Sequence, residues 1–414
     1  MSTSQHDARR GRSTGTAARQ ESLREHNLSL VLRHVLDADA PVSRADLAAA
    51  TGLTRATVSS LVDLLVDSRV LAEGEPVQTG SAGRPAVPLT PARGTLAGLG
   101  LEVNVDYLGV RAVDLTGDVL ANVVVDGDHH ASDPTAVLAL LAQHAARVVD
   151  EVEARGIDVV GASLALPGLV EPSADRLRLA PNLGWSDVDL SMLRELAPFD
   201  RLSLTVANEA NLAAVAEWRA RRRVLPSFIY VSGEVGIGGA LVHDSAVFGG
   251  ARGWSGELGH TTVEPDGPVC ACGARGCLEA YAGKDALMVA AGLDRLGPVS
   301  MLRQNADDGD DRALESLARG GWALGVALSS FVNLTDVAHI VLGGVYGPLA
   351  PYLRDRVVAE LTARVLTAPR SDLVVEPSVA GTEAAMTGGA VEVLRGLVAN
   401  PSARLAPRPP ASDA

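Results

Sequence analysis

The chain has 414 residues, 47% of them hydrophobic and 21% charged, and its formal net charge is −14 at pH 7. This size and apolar content allow two or three ordinary globular cores. The negative charge excludes binding of nucleic acid over the whole surface, and no run reaches the roughly 18 apolar residues that a membrane helix needs. We therefore expect a cytoplasmic protein that does not enter the membrane.

The negative charge is confined to the part of the chain after residue 92. Residues 1–92 contain ten arginines and ten acidic residues, whereas residues 93–414 contain 26 basic and 40 acidic side chains. An acidic body repels DNA. Any contact with DNA must therefore come from the first 92 residues.

Composition and periodicity divide the chain into four segments. Residues 1–22 are rich in Arg, Ser, Thr and Gln without an apolar period, and residues 401–414 are rich in Pro, Ala and Ser. Both ends are therefore predicted to be disordered tails. Between them lie a predicted helical domain at 23–92 and a larger effector domain at 93–400.

The domain at 23–92 shows the pattern of three helices followed by a β-wing. Ser43, with Asp46 three residues later, predicts the start of the second helix, and Thr54 predicts the N-cap of the third. The segment Glu73–Pro91 is rich in Gly and Pro, which is typical of a wing and linker. Apolar residues recur at helical spacing at Leu28, Val31, Leu32, Val35 and Leu36 in the first helix and at Val58, Leu61, Val62 and Leu65 in the third.

This order of elements predicts a winged helix-turn-helix DNA-binding domain whose third helix enters the major groove. Arg55 is suited to grip guanine with two hydrogen bonds, and Arg84 on the wing is placed to reach phosphates or a minor groove. The predicted DNA-binding residues are Arg44, Thr54, Arg55, Thr57, Ser59 and Arg84. The alternative is that the three helices form an oligomerisation or regulatory module.

From Leu96 onward, apolar strands alternate with helices and Gly-rich turns, which predicts an α/β fold with helices on both faces of the sheet. The predicted strands are Leu96–Val113 (a hairpin), Val119–Val125, Val159–Leu166, Leu204–Ala207, Phe228–Val231 and Ile340–Leu342. The predicted helices cover Ala136–Ala154, Glu209–Arg223, 283–296 and 311–333.

The three cysteines of the chain lie close together at 270, 272 and 277, after the pair Gly259-His260. One imidazole and three thiolates make a closed tetrahedral set that suits structural zinc, and an odd number of cysteines argues against a disulfide framework. The predicted zinc ligands are His260, Cys270, Cys272 and Cys277. The alternative is three buried free cysteines.

Several motifs together resemble the ROK family of bacterial repressors and sugar kinases. They are the run Gly256–His260, the cysteine spacing, Gly276–Glu279, Leu166–Gly168, Pro181–Trp185, Asn208–Asn211 and Gly343-Gly344, which span about residues 96–396. The amino-terminal module resembles that of the repressor branch, of the xylose-repressor and N-acetylglucosamine-repressor type. The resemblance implies an actin/hexokinase-like, ribonuclease H-like two-lobed domain behind the winged helix-turn-helix.

The resemblance also implies a sugar site. The positions that match sugar-binding residues of the family are Asn182, Asn208, Glu209, Glu257, His260 and Glu279. Carboxylates and amides can each bridge two neighbouring hydroxyls, and such a site rejects ligands that lack these groups. His260 would bind zinc through one ring nitrogen and offer the other to the sugar. Trp185 and Trp254 are the candidates for stacking on a sugar ring.

Phosphoryl transfer needs a catalytic carboxylate near the sugar hydroxyl and a loop that holds the nucleotide phosphates. Kinases of the family have Asp after the residue matching Asn208, where this chain has Glu209, and a carboxylate misplaced by about 1 Å can cost about a hundredfold in rate. Their phosphate loop Asp-x-Gly-Gly-Thr corresponds here to Glu-Val-Asn-Val-Asp at 102–106, without the glycines that admit phosphate. In the second glycine loop, Glu234 and Val235 replace Gly-Thr. These departures indicate a defective nucleotide site.

We therefore expect a sugar-responsive repressor that is not an enzyme, with operator DNA and a small sugar as its partners and with a homodimeric or homotetrameric assembly. A second hypothesis is an active sugar kinase that carries a DNA-binding module. A third is a DNA-binding protein that senses a phosphosugar or a partner protein.

Overall fold

The computed structural model describes residues 10–76, 86–221 and 224–402, with side chains from residue 22 onward. Helix α1 spans Arg10–Leu36, so the prediction of a disordered tail at 1–22 is wrong for residues 10–22. Among the described side chains of α1, Leu28 is the first that is fully buried. The apolar period that predicts the first helix begins at this residue.

The rest of the amino-terminal domain follows the predicted order. Its elements are β1 (Val42–Ser43), α2 (Arg44–Thr51), α3 (Arg55–Asp67), β2 (Leu71–Glu73) and β3 (Pro88–Pro91). Strand β3 pairs antiparallel with both β1 and β2, so a three-stranded sheet closes the helical trio. This is the arrangement of a winged helix-turn-helix.

The helix boundaries in this domain are set by local capping. The Ser43 side chain accepts a hydrogen bond from the Asp46 amide while the Asp46 carboxylate accepts one from the Ser43 amide, which is the predicted capping box. The Thr54 hydroxyl accepts from the Thr57 amide at 3.2 Å and so caps α3. The apolar positions predicted in α3 are all buried.

The first lobe of the larger domain is built on a five-stranded sheet. Its elements are β4 (Leu96–Val103), β5 (Tyr107–Asp114), β6 (Val119–Asp126), α4 (Pro134–Ala154), β7 (Asp158–Leu166), β8 (Leu169–Glu171), β9 (Arg176–Ala180), β10 (Trp185–Asp189), β11 (Leu204–Asn208) and α5 (Glu209–Ala220). The main sheet has the order β11-β7-β4-β5-β6, and β8, β9 and β10 form a separate small antiparallel sheet.

The second lobe repeats the plan of the first. Its elements are β12 (Phe228–Gly233), β13 (Ile237–His243), β14 (Ala246–Val247), α6 (Glu279–Ala282), α7 (Lys284–Ala290), α8 (Val299–Asp307), α9 (Asp311–Thr335), β15 (His339–Gly344), α10 (Tyr346–Arg364) and β16 (Val374–Pro377). The sheet order is β14-β13-β12-β15-β16. In both lobes three antiparallel strands continue into two parallel ones, so the two sheets share one topology.

The last described helix, α11 (Ala384–Ala399), returns from the second lobe to the first and packs on β4, β7 and α5. The approach to β4 is so close that a Cβ at Gly100 would lie 1.7 Å from the Met386 carbonyl oxygen. Near its carboxyl end, Leu394 and Leu397 join the hydrophobic cluster of the amino-terminal domain. Helix α11 therefore connects the first lobe with the core around α1 to α3.

In the part of the chain that the structure describes, no helix combines the length and the apolar character needed to cross a bilayer.

Candidate functional site

The six predicted sugar-binding residues line one cleft between the two lobes. Its walls come from the segments that follow β4, β7 and β9 and from the β11–α5 junction on one side, and from the β12–β13 loop, the segment before α6 and the start of α6 on the other. About 610 Å³ between its walls is free of protein atoms, and part of this space is open to solvent. The residues brought together are Asn182, Asn208, Glu209, Glu257, His260 and Glu279.

Two of these residues sit where β11 passes into α5. The Asn208 side-chain oxygen accepts hydrogen bonds from the amides of Ala210 (2.9 Å) and Asn211 (3.3 Å), so Asn208 is the N-cap of α5. Its Nδ2 donates to the Gly168 carbonyl at 3.1 Å. These bonds fix the amide at the cleft wall and place Glu209, the first residue of α5, in the cleft.

Glu279 and Asn182 meet across the cleft at the tip of the β12–β13 loop. The Glu279 Oε2 accepts a hydrogen bond from the Ile237 amide at 3.0 Å. A Cβ on Gly236 would lie 2.4 Å from Glu279 Oε2 and 2.5 Å from Asn182 Nδ2. Glycine at 236 is therefore what allows both polar side chains to converge, a role that the sequence pattern did not reveal.

The four predicted metal ligands form the zinc site. Their donor atoms all lie within 4.8 Å of one another, with Cys270 Sγ 3.8 Å from His260 Nδ1 and Cys272 Sγ 3.8 Å from Cys277 Sγ. Four donors at zinc–ligand distances of about 2.0–2.3 Å stand about 3.3–3.8 Å apart in a tetrahedron, so the spacing fits zinc. Burial raises the pKa of the Cys270 thiol to about 12, so the thiolate needs a bound cation.

The zinc loop is held as a short hairpin between the cleft and α6. Backbone bridges join Thr262 to Cys277 and Val269 to Arg275. The Cys270 amide donates to the Ala274 carbonyl at 2.8 Å. This folding explains how ligands so close in sequence can face one point.

His260 links the zinc site to the cleft. Its Nδ1 faces the thiols, whereas its Nε2 lies 3.9 Å from Oε2 of Glu257, which lines the cleft with it. The imidazole can thus hold zinc with one nitrogen and present the other to a ligand, as expected from the sequence.

The carboxyl groups of the cleft are desolvated and close to one another. Burial raises the pKa of Glu257, and the nearby Glu279 adds to the shift. Burial raises the pKa of Glu209 well above its ordinary value, with further contributions from Glu102 and Glu234. Such groups form strong hydrogen bonds to hydroxyls in a low-dielectric site.

Neither of the two tryptophans predicted to stack on a sugar lines the cleft. Trp185 is 2% exposed, packs in the core of the first lobe and donates from Nε1 to the Ser132 carbonyl at 2.9 Å. It is therefore a core residue and the prediction that it stacks on a sugar is wrong. Trp254 is half-buried, with the Arg252 guanidinium 5.2 Å from its ring centre, and it is not part of the cleft lining.

Five of the six predicted DNA-binding residues fall into three groups. Arg55 is exposed at the start of α3 and Ser59, one turn later, is half-buried. The hydroxyls of Thr54 and Thr57 lie 2.9 Å apart and serve the N-cap. Arg84 and the rest of the predicted wing tip lie outside the described residues.

Arg44 differs from these residues because its charge is matched within the domain. Its Nη2 lies 2.7 Å from Oδ1 of Asp63 in α3 and 2.8 Å from Oε1 of Glu73 in β2. The guanidinium therefore braces α2 against α3 and the wing base. This contact weakens the case for Arg44 as a phosphate ligand and leaves Arg55 as the stronger candidate.

Comparisons with known proteins agree with this architecture. Residues 99–395 match the model of the ROK family. The chain is 28% identical over 377 residues to the xylose repressor of Bacillus spizizenii, which covers 90% of this chain and 95% of that protein.

Solved structures confirm the predicted fold class. A ROK family transcriptional regulator, described as a homolog of the E. coli MLC protein, superposes with a TM-score of 0.78 at 24% identity, over 92% of this chain and 99% of that one. A ROK family glucokinase from Streptomyces griseus, solved with glucose and AMPPNP, gives a TM-score of 0.62 at 22% identity, over 72% of this chain and all of that one.

Proposed function

This chain belongs to the ROK family, and we propose that it is a cytoplasmic transcriptional repressor whose hold on operator DNA is set by a sugar bound between its lobes. The observation that carries the proposal is the convergence of six polar side chains, each able to hydrogen-bond a hydroxyl, beside the zinc site in one cleft. Zinc would be held by His260 and the three cysteines. When bound there it would be structural, since four protein ligands leave no open position.

The residues around the nucleotide side of the cleft support a regulator rather than a kinase. Glu102 and Glu234 line a cavity next to Glu209, at the positions where kinases of the family carry phosphate-binding loops. Glu102 matches an Asp of those kinases, whereas Glu234 stands in place of a glycine and brings a carboxyl group to the side that a nucleotide phosphate would approach. The glycines of the first phosphate loop are absent as well. The xylose repressor match over nearly the whole chain points the same way.

Helix α11 offers a physical route from the cleft to the DNA-binding domain. Ala384 and Ala385, at its start, line the cavity next to Glu209. Leu394 and Leu397, at its end, pack into the cluster formed by α1 and α3. The helix spans about 24 Å, so a change in lobe closure would reach the helical trio as a movement of one rigid element. A coupling of about 1–3 kcal/mol would change operator affinity about 5- to 150-fold.

Operator recognition by two copies of the chain is part of the proposal. Helix-turn-helix domains bind two half-sites about one helical turn apart, and a two-fold symmetric assembly matches them. Sugar binding would then alter the spacing of the paired α3 helices.

The test uses the full-length chain. Genomic DNA fragments retained by the purified protein identify an operator, and its dissociation constant is measured with and without each member of a panel of pentoses and hexoses. A sugar that changes operator affinity at least fivefold supports the proposal. Failure to retain any fragment, or an affinity that no sugar alters, contradicts it.

The alternative of an active sugar kinase is separated by a coupled assay. The kinase hypothesis requires sugar-dependent ATP consumption that Glu209→Ala abolishes. We expect no consumption above the protein-free rate, because Glu209 replaces the catalytic Asp, the first phosphate loop lacks its glycines and Glu234 replaces a glycine of the second.

A further inference from the structure

A second cavity adjoins the sugar cleft and is lined by carboxyl groups. Glu102, Glu209 and Glu234 contribute to its wall, and Glu209 and Glu234 line the sugar cleft as well. The remaining wall contains Tyr230, Ser232 and Thr382 with the start of α11. We call this space the acidic chamber.

One oxygen of the acidic chamber lacks a partner. Glu102 is 3% exposed, and its Oε1 accepts a hydrogen bond from the Tyr107 hydroxyl at 2.7 Å. Its Oε2 is buried and has no hydrogen-bond partner among the described residues. A buried acceptor without a hydrogen-bond donor destabilises the fold. A donor group that enters the chamber would remove this free-energy cost.

The basic side chains near the chamber are already matched by other acids. Lys284 Nζ lies 2.7 Å from Asp106 Oδ2, and the pair is thereby neutral. Arg111 lies 3.2 Å from Glu383 and donates to the Thr387 hydroxyl. The three carboxyl groups of the chamber thus have no full countercharge from the chain.

The protonation behaviour of the carboxyl groups agrees with this imbalance. Burial raises the pKa of Glu102 to about 7 and the pKa of Glu234 to about 8. Neighbouring carboxylates add to the shifts of Glu209 and Glu234. Each ionised form is costly because no cation is present, so each gains from a cation brought by a ligand.

We infer that the effector is a protonated amino sugar whose hydroxyls bind in the cleft and whose ammonium group enters the acidic chamber. This inference rests on the proposed sugar-binding function and names the class of sugar. An ammonium group supplies three donors and one positive charge, which suits Glu102 Oε2 and the carboxyl groups of Glu209 and Glu234. Sugar phosphates and uronic acids would be repelled.

The chamber suits an ammonium group better than a bare metal ion. Within the described part of the chain, the zinc ligands are the one set of three or more His, Cys, Asp or Glu residues gathered closely enough to hold a metal ion. The carboxyl groups of the chamber are more widely spaced, and charge-assisted hydrogen bonds of about 2.7–2.9 Å reach further than metal–oxygen bonds.

The experiment compares each amino sugar with its neutral parent by titration calorimetry on the zinc-loaded full chain. The pairs are glucosamine with glucose, galactosamine with galactose, and 6-amino-6-deoxyglucose with glucose, and N-acetylglucosamine serves as an uncharged amide. We expect at least one amino sugar to bind tenfold or more tightly than its parent, which corresponds to about 1.4 kcal/mol. Glucose 6-phosphate is expected to bind more weakly than glucose.

Three variants localise the effect. Glu102→Gln and Glu234→Gln each keep the size of the side chain and are expected to cut the preference for the amine at least threefold. Glu102 is buried, so its replacement can prevent folding. Glu234 is half-buried, and Glu234→Gln is therefore the variant that tests the preference in a folded chain. Glu315→Gln, on an exposed turn of α9, is the matched control and should keep the preference.

The outcomes separate this inference from the proposed function. One outcome is that neutral sugars bind and no amino sugar binds more tightly than its neutral parent. This outcome overturns the amino-sugar inference and leaves the repressor proposal standing. A preference that survives unchanged in both Gln variants also overturns it. Absence of binding by every sugar in this panel overturns the amino-sugar inference, and the repressor proposal falls with it when no pentose or other hexose binds either.

Discussion

The Nδ1 atom of His260 lies 3.8 Å from the Sγ atom of Cys270, so the imidazole that lines the sugar cleft also belongs to the zinc cluster. When a histidine binds a metal with one nitrogen and faces a small-molecule site with the other, the metal fixes the orientation of the ring toward the bound molecule.

The first prediction concerns Cys272, the exposed member of the cluster. Cys272→Ser removes one thiolate, and we expect zinc content to fall and sugar affinity to drop about 10- to 100-fold, because His260 loses its orientation. Metal analysis and calorimetry on the same preparation measure the two effects. A zinc-free variant with unchanged sugar affinity would show that the metal does not order the cleft.

Position 236 provides a steric test of the same cleft. Gly236→Ala would bring a Cβ to 2.4 Å from Glu279 Oε2 and 2.5 Å from Asn182 Nδ2, so we expect at least a tenfold loss of sugar affinity. Gly347→Ala, in the first turn of α10, is the control because its nearest neighbour would be 3.9 Å away. The control should bind sugar normally and gain about 0.4–1 kcal/mol of stability. Equal sugar affinity in both variants would contradict this account of Gly236.

A third prediction concerns DNA recognition by α3. Arg55→Ala is expected to weaken operator binding by about 1–3 kcal/mol, or roughly 5- to 150-fold, if Arg55 contacts a guanine. Sugar affinity should stay the same, since Arg55 is not part of the cleft lining. Arg370→Ala, at an exposed position after α10, is the matched control. Loss of both activities in Arg55→Ala would instead indicate misfolding.

Sequence reasoning succeeded where structure is set by neighbours along the chain. The Ser43 capping box, the Thr54 cap and the zinc hairpin each depend on a few adjacent residues, and all three are present. It failed at Trp185, whose polar and aromatic character suits a binding site equally well until packing buries it. The sequence around a residue does not determine which part of the fold will pack against it.

Helix α11 shows a second limit of the sequence pattern. Its residues are apolar on several sides because it packs on β4, β7 and α5 at once, which weakens the periodic signal of a surface helix. The role of Glu102 and Glu234 was visible only as a departure from a kinase loop. Their meeting with Glu209 in one chamber required the folded positions of three separate segments.

The fourth prediction follows from the raised pKa of Glu234. Its folded-state pKa of about 8 exceeds the value of about 4.3 in an unfolded chain. Between these pH values the folded chain binds more protons, so the free energy of unfolding falls as pH rises. Glu234→Gln removes this contribution and should raise the melting temperature more at pH 8 than at pH 5. Glu315→Gln should show no such difference, and an equal effect of Glu234→Gln at both pH values would argue against the burial of an ionisable group there.

The last prediction tests α11 as the connection between cleft and DNA-binding domain. Leu394→Ala removes a side chain that packs between the first lobe and the helical trio, and Leu353→Ala removes a fully buried leucine of the second lobe. Both should cost about 2–5 kcal/mol of stability. Only Leu394→Ala should reduce the change in operator affinity that a bound sugar causes, because the cavity it leaves lets the helical trio move independently of α11. Operator affinity measured with and without sugar in both variants decides the point, since equal coupling in the two would mean that the signal reaches the DNA by another path.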